Sequence, residues 1–168
     1  MVHKSGEKWI NLWIRRQSGD NEGFIMILGE YNHSLDIKGR VAVPAKFREK
    51  IEAGAIITRG LDKCLFMFGA KEWETLVQKL MSLPLAQSNS RAFVRLMLAG
   101  ASDVTFDNQG RILIPEYLRK YAGFKKQVVL TGLFNRIEIW DSENWETYKT
   151  KTESSSDEIA EKLGELGI

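Results

Sequence analysis

LDIKGRVAVPAKFR, residues 35–48, and FDNQGRILIPEYLR, residues 106–119, are one phrase written twice. Each carries Asp, then Gly-Arg, an alternating apolar triplet, Pro and a closing Arg. The copies stand 71 residues apart. Just downstream, TRGLDKCLFMFGAKEWETL (58–76) aligns with LTGLFNRIEIWDSENWETY (130–148) at a spacing of 72. A duplication this long governs the fold. Each copy is about 40 to 45 residues, near the size at which a lone domain struggles to bury enough surface. The copies are therefore expected to complete each other's core as a pseudo-two-fold body with two equivalent surface loops. Function should be sought on those loops.

Outward from the quoted phrase, residues 27–35 read as a strand entering a turn. Asp36-Ile37-Lys38-Gly39 has turn chemistry, because Asp caps backbone amides and Gly tolerates a left-handed conformation. Residues 40–43 alternate as a strand, with Val41 and Val43 on one face and Arg40 and Ala42 on the other. Pro44 ends it and can open a short helix carrying Phe47 and Ile51. Two strands (55–58 and 64–68) and a helix over 70–81 close the unit. The second copy repeats each step: a turn at 107–110, a strand at 111–114 and a short helix at 115–121. Strands at 128–130 and 136–140 follow, then a helix from Ser142. Between the copies, 87–100 reads as helical, with Phe93, Leu96 and Met97 on one side.

These boundaries give a leader at 1–25, a first repeat at 26–83 and a helical bridge at 84–101. A second repeat follows at 102–150, then a tail at 151–168 with a short helix beyond SSSDE. The leader shares nothing with the repeat and is expected to be untranslated or unstructured. Glu22-Gly23 can be encoded by a purine-rich stretch of ribosome-binding type shortly ahead of Met26.

With 168 residues, 43% hydrophobic and 27% charged, the chain reads as one soluble globular domain. It has no apolar run of the roughly 20 residues that cross a bilayer, and its N-terminus lacks the pattern of a secretory signal. No membrane partner is expected. The lone Cys64 reads as a buried strand thiol, and the cytoplasm is the default compartment. Net charge is only +2, but residues 26–150 hold 18 basic against 14 acidic groups, and residues 151–168 hold two against five. So weakly basic a chain would bind nucleic acid only with its charges focused on one face or multiplied by oligomerisation.

Catalytic readings fare badly. No Gly-rich phosphate loop precedes a helix, and one Cys with two His leaves no nucleophile–base pair to assemble. His3 and His33 have no ligand set around them, so neither metal nor cofactor is expected. Asp36, Asp103 and Asp107 could be imagined as a metal-nuclease cluster, but Asp36 and Asp107 are repeat mates, expected to sit apart on separate loops. No small-molecule pocket is legible.

LGEYNHSLDIKGRVAVPAKFR (28–48), RLMLAGASDVTFDNQGRILIP (95–115) and GLFNRIEIWD (132–141) together closely resemble the MraZ family of bacterial transcriptional regulators. The likeness runs from Met26 to about Tyr148, and its signature is the doubled D-x-x-x-R, Asp36 to Arg40 and Asp107 to Arg111. The resemblance implies a mainly β, α+β fold of two AbrB-like swapped-hairpin repeats closing into a double-split β-barrel. It also implies ring-shaped homo-oligomers that sit on nucleoid DNA. Their double-stranded targets would be short G-rich direct repeats before the division and cell-wall gene cluster, the regulator's own gene included, where the family acts mainly as repressors.

On the residues alone, Asp36 with Arg40 is equally well a turn clasp, and the two readings combine: Asp holds the turn while Arg points outward. In the DNA-binding reading Arg40 and Arg111 contact DNA, because a guanidinium fork matches guanine O6 and N7 or a phosphate. Lys38 and Gln109, at matching loop positions, are their partners, and Asp36, Gly39, Asp107 and Gly110 shape the turns. Lys38 carries a charge that Gln109 lacks, so the first half should supply more of the salt-dependent affinity. Arg91 and Arg95 are assigned a solvated or intersubunit ion-pair role, Arg48 and Arg119 structural roles, and Phe66, Phe68, Trp73, Trp140 and Trp145 core or subunit contacts. Two alternatives stand beside this reading. One is an antitoxin-type DNA-binding protein of the same superfamily, and the other an oligomeric protein-binding scaffold.

Overall fold

The computed structural model describes residues 27–51 and 54–164; the reading of 1–25 as a leader lies outside them. The first repeat contributes β1 (Ile27–Ser34), β2 (Arg40–Ala42), α1 (Ala45–Ile51), β3 (Ala55–Arg59), β4 (Leu65–Phe68) and α2 (Ala70–Met81). After the bridging α3 (Ser88–Leu98), the second contributes β5 (Ser102–Val104), β6 (Arg111–Leu113), α4 (Glu116–Ala122), β7 (Gln127–Phe134), β8 (Ile137–Asp141) and α5 (Ser142–Ser154). A last helix, α6 (Ser156–Gly164), is exposed along its whole length.

Six strands form one sheet in the order β1-β7-β8-β4-β3-β5, and β2 and β6 form a separate two-stranded ribbon. All the pairings are antiparallel. Exchanging each strand for its repeat mate reverses the sheet order and leaves it otherwise unchanged. The pseudo-two-fold axis therefore passes between β4 and β8 and again between β2 and β6. Neither repeat keeps its strands to itself: β1 pairs with β7 of the second repeat, and β3 with β5.

Alternation on the ribbon decides which residues face inward. Val41 lies opposite Ile112, and neither has any exposed surface, whereas Arg40, Ala42 and Arg111 remain partly exposed and Leu113 exposed. Phe47 and Ile51 from α1, and Leu118 and Ala122 from α4, pack beneath the ribbon with Val43 and Ile114 in one continuous core. That core belongs to both repeats at once, as two under-sized halves require. α4 is tied further to the first repeat, because Tyr121 Oη donates to the Gly60 carbonyl at 2.7 Å and the Arg59 guanidinium lies over the Tyr117 and Tyr121 rings.

Two expectations need correction. The six-stranded sheet is open, with β1 and β5 as its edges, so among the described residues no closed barrel forms. β2 and β6 are three residues each and bond only to one another, too short to bridge those edges. Nor is the fold mainly β: among the described residues more lie in helices than in strands, because α2, α3 and α5 are long. The architecture is mixed, with an antiparallel sheet and helices around it. No helix among the described residues is long and apolar enough to cross a membrane.

Candidate nucleic-acid interface

The two D-x-x-x-R turns are built alike, bond for bond. Asp36 Oδ1 accepts from the amides of Lys38 and Arg40, both at 2.9 Å, while Arg40 Nε donates to Asp36 Oδ2 at 2.6 Å. In the second copy Asp107 Oδ1 accepts from the Gln109 and Arg111 amides at 2.9 and 3.0 Å, and Arg111 Nε donates to Asp107 Oδ2 at 2.8 Å. One carboxylate thus fixes both the loop backbone and the guanidinium that leaves it. The Gly39 and Gly110 amides close the turns on the Asp36 and Asp107 carbonyls, with φ of 81° and 71°. Only glycine adopts that region at little cost.

The turns do not stand apart. The ribbon sets β2 against β6, and Val43 N donates to the Gly110 carbonyl at 3.0 Å while Ile114 N donates to that of Gly39 at 3.1 Å. Arg40 Nη1 therefore comes within 3.9 Å of Asp107, and Arg111 Nη1 within 3.7 Å of Asp36. Asp36 and Asp107, expected on separated loops, share one cluster of four charges astride the pseudo-two-fold axis. A second difference follows. The two arginines fold back onto carboxylates instead of standing clear, with side chains 31% and 26% exposed.

Two arginines read from sequence as structural flank this cluster. Arg48 Nε donates to the Val43 carbonyl at 3.1 Å and Arg119 Nε to that of Ile114 at 3.0 Å. Each guanidinium lies against the turn glycine of the opposite repeat: a Cβ on Gly39 would meet Arg119 Cζ at 2.6 Å, and one on Gly110 would meet Arg48 Cζ at 2.6 Å. The closing Arg of the repeated phrase was the sequence signal, but its target in the other copy could not be read from one copy alone. Arg40, Arg48, Arg111, Arg119 and Lys38 thus gather around two carboxylates, a concentration of positive charge that the net +2 of the chain conceals. Lys38 and Gln109 lie exposed at the tips, as does Ile37.

The electrostatics are those of held carboxylates. The amide of Arg40 leads in lowering the Asp36 pKa, with the Arg40 side chain and the Lys38 amide assisting. The Arg111 side chain leads in lowering that of Asp107, from the usual 3.8 to about 2. Both stay ionised at any physiological pH and keep the guanidinium groups oriented.

A second concavity, a cleft of about 290 Å³, opens beside Phe66, Thr131, Trp140, Trp145 and Tyr148. Two of its charged groups satisfy each other, since Arg136 pairs with Glu138 at 2.9 Å and Glu138 also accepts from Trp140 Nε1. Cys64 lines it too, but burial pushes its thiol pKa well up, which leaves it protonated and a poor nucleophile. Among the described residues, no group of three or more His, Cys, Asp or Glu is placed to hold a metal ion. Of the basic residues on α3, Arg91 donates to the Leu85 and Ala86 carbonyls, which ties down the helix start.

Comparison with known proteins adds a family. The profile described as "MraZ protein, putative antitoxin-like" matches twice in tandem, at residues 26–96 and 97–165. Transcriptional regulator MraZ of Acetivibrio thermocellus is 50% identical over 143 residues, which cover 85% of this chain and 100% of that one. The proteins of the same name from Alkaliphilus metalliredigens and Halothermothrix orenii are each 49% identical with the same coverage. One solved structure, the solution structure of PHS018 from Pyrococcus horikoshii, overlaps at a TM-score of 0.30 with 17% identity, over 67% of this chain and 87% of that one. That likeness is too slight to bear on the fold.

Proposed function

This chain belongs to the MraZ family, and we propose that it regulates transcription by gripping double-stranded DNA with its paired arginine turns. Family membership makes it a regulator of transcription, a role that is not catalysis. The observation that carries the DNA-binding reading is the ribbon, which brings Arg40 and Arg111 together on one two-fold-related surface. In this reading the guanidinium groups of both arginines read guanine edges bidentately, and Lys38 and Gln109 contact neighbouring phosphates or base edges. Asp36, Gly39, Asp107 and Gly110 hold the turns in shape. The aspartates are no obstacle, because a partly exposed, solvent-screened ion pair is weak and its arginine can exchange a carboxylate for a DNA acceptor at little cost.

The targets proposed are short G-rich direct repeats before the division and cell-wall gene cluster, including the regulator's own gene, bound as a repressor on the nucleoid in the cytoplasm. A single copy offers one small site, so the working form is a ring-shaped homo-oligomer whose neighbours engage successive repeats. A seated turn raises the effective concentration of the next, which contributes about 10² to 10⁴ in avidity.

The test is binding to repeat-bearing and scrambled duplexes at fixed salt. Arg40→Ala should weaken repeat binding by about 1–3 kcal/mol and relax the preference for repeats. Unchanged affinity and selectivity in that variant would remove Arg40 from the reading site. A wild-type protein that binds neither duplex would favour a protein-binding scaffold, and one that runs as a monomer on native mass measurement would end the avidity argument.

A further inference from the structure

We propose that Arg48 and Arg119 are DNA phosphate contacts, a second arginine pair flanking the first. The inference rests on the reading that the arginine turns bind DNA, and it extends that surface beyond the D-x-x-x-R signature. Three observations support it. Both residues are half-buried, yet among the described residues neither comes within ion-pair distance of a carboxylate, unlike Arg40 and Arg111; Glu116 feels the Arg119 charge but pairs with Lys120. Each is fixed at Nε by a carbonyl of its own repeat and faced by the turn glycine of the other, so the planar group is held in place before any ligand arrives. Both attachments are repeated about the pseudo-two-fold axis, so the pair is spaced symmetrically around the central cluster.

A half-buried cation that no carboxylate contacts directly favours an anion with several acceptor oxygens, and the outer edge of a guanidinium suits a phosphate. Base edges do not fit this placement. Each guanidinium sits beside a turn glycine rather than at a loop tip, so it would meet the DNA backbone while Arg40 and Arg111 reach inward. Backbone contacts fix position and carry no sequence information. Arg48 and Arg119 would therefore set affinity and register, and leave base preference to the central pair.

The experiment compares salt dependence with base preference in the full-length chain. Arg48→Gln and Arg119→Gln should each lower the slope of log affinity against log salt by about 0.9 for every subunit seated on DNA. Repeat and scrambled duplexes should weaken by the same factor. Arg48→Lys, which keeps the charge but loses the carbonyl bond, should retain the wild-type slope. Wild-type slopes in both Gln variants, or a slope lost equally in the Lys variant, would overturn the proposal.

Should the Gln variants fail to fold, the unaltered protein can be tested on duplexes carrying single neutral methylphosphonates. Affinity should fall at phosphate positions on both sides of each G-run, and uniform binding at every position would overturn the proposal. Failure of the underlying reading looks different: the wild-type protein then shows no salt-dependent binding to any duplex.

Discussion

Asp36 and Asp107 each do three jobs with one side chain: they accept from two backbone amides and from the guanidinium four residues on. These bonds all need the ionised carboxylate, which is why both pKa values fall. The sign of the linkage follows. A group whose folded pKa lies below its unfolded one stabilises above the unfolded value and loses that contribution as pH falls through the folded value. For Asp107 the window runs from about 4 down to about 2, and Asp36 shifts in the same direction. Thermal midpoints should therefore drop between pH 4 and pH 2, and Asp107→Asn should lie lower at pH 7 while losing part of that acid dependence. An identical acid limb in the variant would show that the turn carboxylate contributes nothing. The turn itself was legible in sequence, from residue type and spacing. The packing of Gly39 against Arg119, and of Gly110 against Arg48, was not, because it joins residues about 80 and 62 positions apart.

At the scale of elements, the β1–β7 pairing holds the halves together along eight residues, and Gly132 sits within it. A Cβ there would lie 2.8 Å from the Ile27 carbonyl carbon, the Leu28 nitrogen and Phe47 Cζ. Two of those three atoms are backbone in a paired strand and cannot yield alone. Gly132→Ala should therefore cost about 1–3 kcal/mol, in the range of core overpacking, read from the denaturant midpoint. A midpoint within error of wild type would mean that the seam is looser than this. The same seam explains which strands could be read from sequence. Residues 128–130 read as a strand because they are apolar, but β7 extends to Gln127–Phe134 because β1 lies alongside it. β5 was not foreseen at all. Ser102-Asp103-Val104 has no alternating pattern and becomes a strand because the edge of β3 accepts it. The helix over 70–81 and the one starting at Ser142 could be read directly, since each carries its own signal: a long amphipathic stripe in α2, and an Asp141 side chain that accepts from the Glu143 amide at the head of α5.

For the molecule as a whole, the exchange of strands makes a sharper demand than duplication alone. Two independent domains in tandem would each survive separation, but these repeats would not. Cut between α2 and α3, the first would leave β1 without β7, β3 without β5 and Val41 without Ile112 across the ribbon. Its two remaining partnered strands, β3 and β4, are five and four residues long, too little sheet to hold a core. A chain of residues 26–83 should thus show no cooperative unfolding as a monomer. Mixed with 84–164, it should regain native far-ultraviolet dichroism and a single transition. The first half also carries the eight-residue β1, the longer of the two edge strands, so any folding it achieves alone should be by pairing with itself, and its midpoint should rise with concentration. A concentration-independent transition in monomeric 26–83 would show that the first repeat has a core of its own. The first turn, with Asp36 and Arg40, could then be studied apart from the second, although the four-charge cluster would still need both.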